Sequence, residues 1–138
     1  MIAKEFEEFL LSHLDHYLVP AEDLAIFIDT HNSDHAMLLL ANNGYSRVPV
    51  ITKDKEYVGT ISIADIMSYQ ANNQLTDWEL AQTDIGKMVN TKLQIISNTS
   101  SLTDIMHLLV DYPFLPVLDK NNHFLGIITR KSILKAVN

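Results

Sequence analysis

The chain has 138 residues, 47% of them hydrophobic and 20% charged, which suits a folded core rather than a disordered segment. Ten Lys and Arg against 17 Asp and Glu give a net charge of −7, which argues against a DNA or RNA polymer as partner, since duplex binding draws on a basic footprint. The absence of cysteine removes disulfides, thiolate metal sites and cysteine nucleophiles.

In chain order, Phe6, Phe9, Leu10, Leu14, Tyr17 and Leu18 fall near helical spacing and predict an amphipathic N-terminal helix, ended by Pro20. Its acidic start lacks the basic and apolar regions of a signal peptide, and no apolar run nears the ~18 residues of a membrane span. A cytoplasmic protein with no membrane association is expected. Ala25–Ile28 reads as a short buried strand. Asn32 or Ser33 can cap a helix through Asn43, with Gly44 at its C-terminal end. Val48–Ile51 and Tyr57–Ile61 read as strands around a Lys53–Lys55 turn, and Ser62 opens a helix to about Tyr69. Residues 70–84, around Asn72-Asn73-Gln74, are largely polar and low in periodicity apart from Trp78, and read as a linker. The pattern then recurs. Leu93–Ile96 is a strand, Ser101 caps a helix that breaks at Asp111-Tyr112-Pro113, and Leu115–Leu118 and His123–Ile128 are strands. Thr129 opens the last helix.

The recurrence has a constant offset. Pro49 and Pro116, Gly59 and Gly126, Ile61 and Ile128, and Ser62 and Thr129 are each 67 positions apart. Each half is a β-α-β-β-α unit too small to cover its own sheet, so two halves packed sheet to sheet are expected. The predicted class is α/β (α+β), with a helix at 1–17, a first repeat at 18–69, a linker at 70–84 and a second repeat at 85–138.

Val48-Pro49-Val50 with Gly59-Thr60-Ile61-Ser62-Ile63-Ala64-Asp65 resembles the signature of the cystathionine-β-synthase (CBS) domain family. Leu115-Pro116-Val117 with Gly126-Ile127-Ile128-Thr129-Arg130-Lys131-Ser132 is a second copy, with Ser132 where the family often has an acid. The resemblance implies tandem CBS repeats, a Bateman module, related by pseudo-two-fold symmetry. Pro20–Ala25, His35-Ala36, Gly44-Tyr45-Ser46, Tyr112–Leu115 and Gly126–Arg130 resemble the stand-alone CBS-pair proteins of Gram-positive bacteria that bind cyclic di-AMP. That narrower resemblance implies a homodimeric, non-enzymatic receptor. It also implies a protein target, notably the alarmone synthetase/hydrolase of the stringent response. Asp23 stands where such sequences often carry Lys, and Lys131 where they often carry Arg; both changes weaken the positive potential offered to a phosphate.

Two helix starts are candidate sites. Ser62 and Asp65 form a variant capping box, yet the same groups could meet a phosphate and ribose hydroxyls. At Thr129-Arg130-Lys131, two cations in a first helical turn oppose the macrodipole, and Ser132 is not expected to complete a standard capping box. An anion bound there would reverse that sign, with Arg130 offering a bidentate fork. The backbone of Leu24-Ala25-Ile26 could pair with an adenine edge. Tyr45 and Phe114, at equivalent corners, could stack on a base or simply pack in the core. Arg47 is a further phosphate candidate, though a solvated strand-edge residue is the commoner role. Ser46, Pro49 and Ile128, within the motifs quoted above, complete the expected ligand set.

His13 and His16, and His31 and His35, lack the Glu of a His-Glu-x-x-His pattern, so no metal site is expected. No phosphate-binding Gly-rich loop or Ser-His-Asp order is recognisable, so catalysis is not expected. Alternatives to a cyclic di-AMP receptor are an AMP, ADP or ATP sensor using Ser62 and Asp65, and a ligand-free interaction module.

Overall fold

The structure is a computed structural model describing residues 18–44, 46–97 and 100–137. The expected N-terminal helix and Tyr45 lie outside the described residues. The described residues divide into two compact units, one within Ala25–Lys92 and the other formed by Leu18–Leu24 together with those from Leu93 onward.

In the unit Ala25–Lys92, β2 (Phe27–Ile28) runs parallel to β3 (Val48–Ile51), which pairs antiparallel with β4 (Tyr57–Ile61). A parallel step needs a crossover, and α1 (Ser33–Asn43) supplies it. The Asn32 side chain caps α1 by accepting from the His35 N–H at 2.9 Å, and Gly44 ends it in the left-handed region with φ 68°. α2 (Ile63–Asn72) follows β4. Phe27, Ala36, Leu40, Val48, Val50, Ile61 and Ile66 form the core.

The segment expected to be a linker carries more order than its polarity suggests. α2 extends to Asn72, and a reciprocal Thr76–Glu79 capping box starts α3 (Asp77–Ala81). Leu80 enters the core, and its carbonyl accepts from the buried Ser33 hydroxyl at 2.9 Å. Ile85, in the 3-10 turn Ile85–Lys87, is fully buried. A five-residue helix with one core side chain shows no periodicity, so the pattern hides it.

The other unit has a four-stranded sheet in the order β1 (Leu18–Pro20), β7 (Phe124–Thr129), β6 (Phe114–Leu118), β5 (Ile96–Ser97). β5 is parallel to β6, which is antiparallel to β7. α4 (Leu102–Asp111) makes the crossover, capped by Ser101, and α5 (Arg130–Val137) follows β7. Leu102, Ile105, Leu109, Leu115, Val117, Ile128 and Ile133 form this core. The expected strands Ala25–Ile28 and Leu93–Ile96 contract to Phe27–Ile28 and Ile96–Ser97, because hydrogen-bonded pairing, rather than apolar content, sets their extent.

The repeat is a repeat of structure. Val50 pairs with Gly59 and Val117 with Gly126, and each ladder shifts register at the next residue. Lys55 (φ 69°) and Asn122 (φ 65°) take the left-handed position of the two hairpin turns at the same 67-residue spacing. The chain is therefore mixed α/β, with two copies of β-α-β-β-α.

Sheet edges do not follow chain order. β1 (Leu18–Pro20) opens the expected first repeat yet pairs with β7 of the second, Val19 opposite Ile127. Asn90 lies within the expected second repeat yet bridges Thr60 on β4 of the first. Each added segment crosses a glycine. A Cβ on Gly59 would lie 3.0 Å from the Asn90 carbonyl oxygen, and one on Gly126 would overlap that of Val19. Among the described residues no helix is long and apolar enough to cross a membrane.

Candidate functional site

The second helix start forms where β7 meets α5. Phe114 pairs with Thr129 at the last rung of the β6–β7 ladder and is buried. Thr129 and Ser132 cap each other: the Ser132 N–H donates to Thr129 Oγ1, and the Thr129 N–H to Ser132 Oγ, both at 2.9 Å. Ser132 does not make the standard box, as expected, but it completes a serine variant of it. Its hydroxyl replaces the usual acid because the Thr129 backbone comes close enough for a short side chain.

Arg130 also differs from expectation. Its guanidinium turns back to the C-terminal end of α4, where Nε donates to the Leu109 carbonyl and Nη2 to the Val110 carbonyl, the latter at 3.0 Å. The last carbonyls of a helix carry partial negative charge and lack intrahelical partners. A cation that is unfavourable at the start of α5 is thus favourable at the end of α4, so its placement has an explanation without an anion. Lys131 is exposed. The Ile128 side chain is fully buried in the core, and its backbone lies between β1 and β6. The Leu24 N–H closes the 3-10 turn Ala21–Asp23, which lies against β7, and Asp23 is exposed.

In the unit Ala25–Lys92 the candidate residues converge more closely. Ser62 Oγ accepts from the Asp65 N–H at 3.2 Å, and Asp65 Oδ2 from the Ser62 N–H at 3.0 Å, so the expected capping box forms. Arg47 is not a solvated edge residue. Its Nη1 donates to Asp65 Oδ2 at 2.8 Å and to Thr60 Oγ1 at 2.9 Å, and its Nη2 lies 3.4 Å from Ser62 Oγ. Asn90 Nδ2 reaches Asp65 Oδ1 at 3.4 Å. Pro49 is buried opposite Thr60, Ser46 is exposed, and Ala25 and Ile26 are half-buried just before β2. Burial pushes the Tyr57 phenol up to about 12, with the Arg47 charge opposing. Sequence reasoning missed Thr60 and Asn90. Thr60, a polar residue within the apolar run Val58–Ile61, was the available sign; Asn90 offered none.

His31 and His35 meet edge to face with ring centroids 4.9 Å apart. Among the described residues no group of three or more His, Asp or Glu side chains is placed to hold a metal ion.

Comparison with known proteins identifies the class. The CBS domain family profile matches residues 22–72 and 84–138, and the chain belongs to the CBS-domain family. It is a CBS pair similar to CbpB of Streptococcus agalactiae, at 74% identity over 99% of this chain and 87% of that one, with a TM-score of 0.93. A crystal structure of CbpB in complex with c-di-AMP is 73% identical, covers 98% of this chain and 90% of that one, and has a TM-score of 0.91. Cyclic di-AMP receptor B of Bacillus subtilis (strain 168) is 23% identical over 139 residues, spanning 100% of this chain and 95% of the receptor. The chain spans 61% of the length of CBSX1, a chloroplastic CBS domain-containing protein of Arabidopsis thaliana that is 26% identical. The two matched segments make the chain a tandem CBS module.

Proposed function

We propose that the chain is a cyclic di-AMP receptor that acts through a protein partner according to whether ligand is bound. The 73% identity to CbpB in complex with c-di-AMP carries this reading. The phosphates are assigned to the start of α5, which offers free backbone N–H groups together with Arg130 and Lys131. Leu24 and Phe114, in the same unit, are assigned to the base. An anion there competes for Arg130 with the Leu109 and Val110 carbonyls, so occupancy perturbs the end of α4. Beyond that end lies an apolar groove of about 280 Å³ lined by Met106, Leu109, Val110, Arg130, Ile133 and Leu134. Ligand can shift the protein only by its differential affinity for two states. The alarmone synthetase/hydrolase is the proposed partner, and a homodimer in the cytoplasm the proposed form.

Calorimetric titration of the full chain with cyclic di-AMP, AMP, ADP and ATP tests the ligand. Saturable heat with cyclic di-AMP is expected, and its absence at high protein concentration overturns the reading. An AMP, ADP or ATP sensor is the second reading, favoured by the complete motif Gly59–Asp65. Preferential binding of one of those mononucleotides would select it.

A further inference from the structure

The first repeat has the complete motif, yet its carboxylate is already engaged. Asp65 accepts from Arg47 at 2.8 Å, from the Ser62 N–H at 3.0 Å and from Asn90 at 3.4 Å. The Arg47 and Asp65 side chains are 24% and 16% exposed, so the ion pair is sheltered but open at one side. The second repeat has no equivalent. At the 67-residue offset Arg47 becomes Phe114, Thr60 becomes Ile127 and Asp65 becomes Ser132. One helix start holds an internal cation–carboxylate pair; the other has neither member of it.

A ribose presents a neutral vicinal diol, whose natural partner is a carboxylate. A diol cannot readily displace a guanidinium from that carboxylate. The charge-assisted bond is stronger, and expelling Arg47 would leave a half-sheltered charge uncompensated. We propose that Arg47 is a specificity-determining residue that withholds Asp65 from ribose, so the first repeat does not take a mononucleoside. Removing Arg47 while keeping Asp65 turns the first helix start into a ribose-dependent adenosine site.

The test is titration calorimetry of the full chain with adenosine and with 2′,3′-dideoxyadenosine, which lacks the diol. Wild type, Arg47→Met and Arg47→Met/Asp65→Asn are compared, each checked for folding by circular dichroism. Arg47→Met is expected to bind adenosine at least about tenfold more tightly than wild type, the scale of one charged hydrogen bond. That gain should vanish with the dideoxy compound and in the double variant. Should Arg47→Met not fold, Arg47→Gln removes the charge at similar length and carries the same expectation. A folded single variant with no gain overturns the proposal, as does wild-type adenosine binding that Asp65→Asn abolishes. The inference does not rest on the cyclic di-AMP reading, because adenosine binding to the Arg47 variants is measured apart from it.

Discussion

Gly126 lies directly opposite Pro20 in the β1–β7 ladder, at a φ of 153°, with the Val19 carbonyl oxygen where its Cβ would be. Glycine is needed twice over, for the backbone angle and for the space. Gly126→Ala should therefore cost about 3 kcal/mol or more of stability, from positive-φ strain and overlap with backbone. Gly59 has no positive φ and a nearest approach of 3.0 Å, so Gly59→Ala should cost less. Urea denaturation of both variants gives the ranking directly, and an equal loss would count against the β1 contact.

Ser132 provides a second measurement. Its hydroxyl accepts from the Thr129 N–H and donates to the Thr129 carbonyl, both at 2.9 Å. Ser132→Ala removes half of the reciprocal cap and should lower stability by about 1 kcal/mol. An unchanged denaturation midpoint would mean that water replaces the hydroxyl at no cost.

His31 gives a pH dependence. Burial, and secondarily the neighbouring His35, hold its pKa below the ordinary 6.5, and its Nδ1 lies 3.4 Å from the Ile28 N–H as an acceptor. The folded state thus takes up this proton less readily than the unfolded chain. The contribution is complete above pH 6.5 and drains away as pH falls toward the lowered folded value. Between about pH 7 and pH 5.5 the melting temperature of wild type should fall further than that of His31→Gln. Parallel pH curves would show that His31 is not the group responsible.

Arg130 joins stability to binding. Arg130→Ala frees the Leu109 and Val110 carbonyls to water, so the stability loss should stay within about 1 kcal/mol. Cyclic di-AMP affinity should fall at least about tenfold, the scale of one bidentate phosphate contact. Loss of stability without loss of affinity would confine Arg130 to closing the end of α4.

Much of the fold is legible in the residues because two punctuation marks recur. The Pro49/Pro116 and Gly59/Gly126 pairs fix strand order and register, and Asn32, Ser62, Ser101 and Gly44 mark helix ends through local chemistry. What escapes is long-range. β1 crossing to β7, and Asn90 bridging Thr60, depend on backbone pairing between segments whose side chains carry no pattern. The candidate site divides the same way. The Ser62–Asp65 box is visible as a three-residue spacing, whereas Arg47 reaches Asp65 across 18 positions and Arg130 reaches Val110 across 20. Long cationic side chains choose partners in space, and sequence adjacency does not reveal which carbonyl or carboxylate they find.

The exchange of edge segments sets where the chain can be cut. Ala25–Lys92 is one uninterrupted stretch that contains its whole sheet and its Asn90 bridge, so a cut at either end breaks no strand pairing of that sheet. The second repeat excised from residue 93 onward would leave Leu18–Pro20 behind and turn β7 into a bare edge, open to pairing with another molecule. The compact unit containing Thr129 is therefore discontinuous in sequence. A circular permutant that fuses Leu18–Leu24 after α5 would restore it as a single polypeptide.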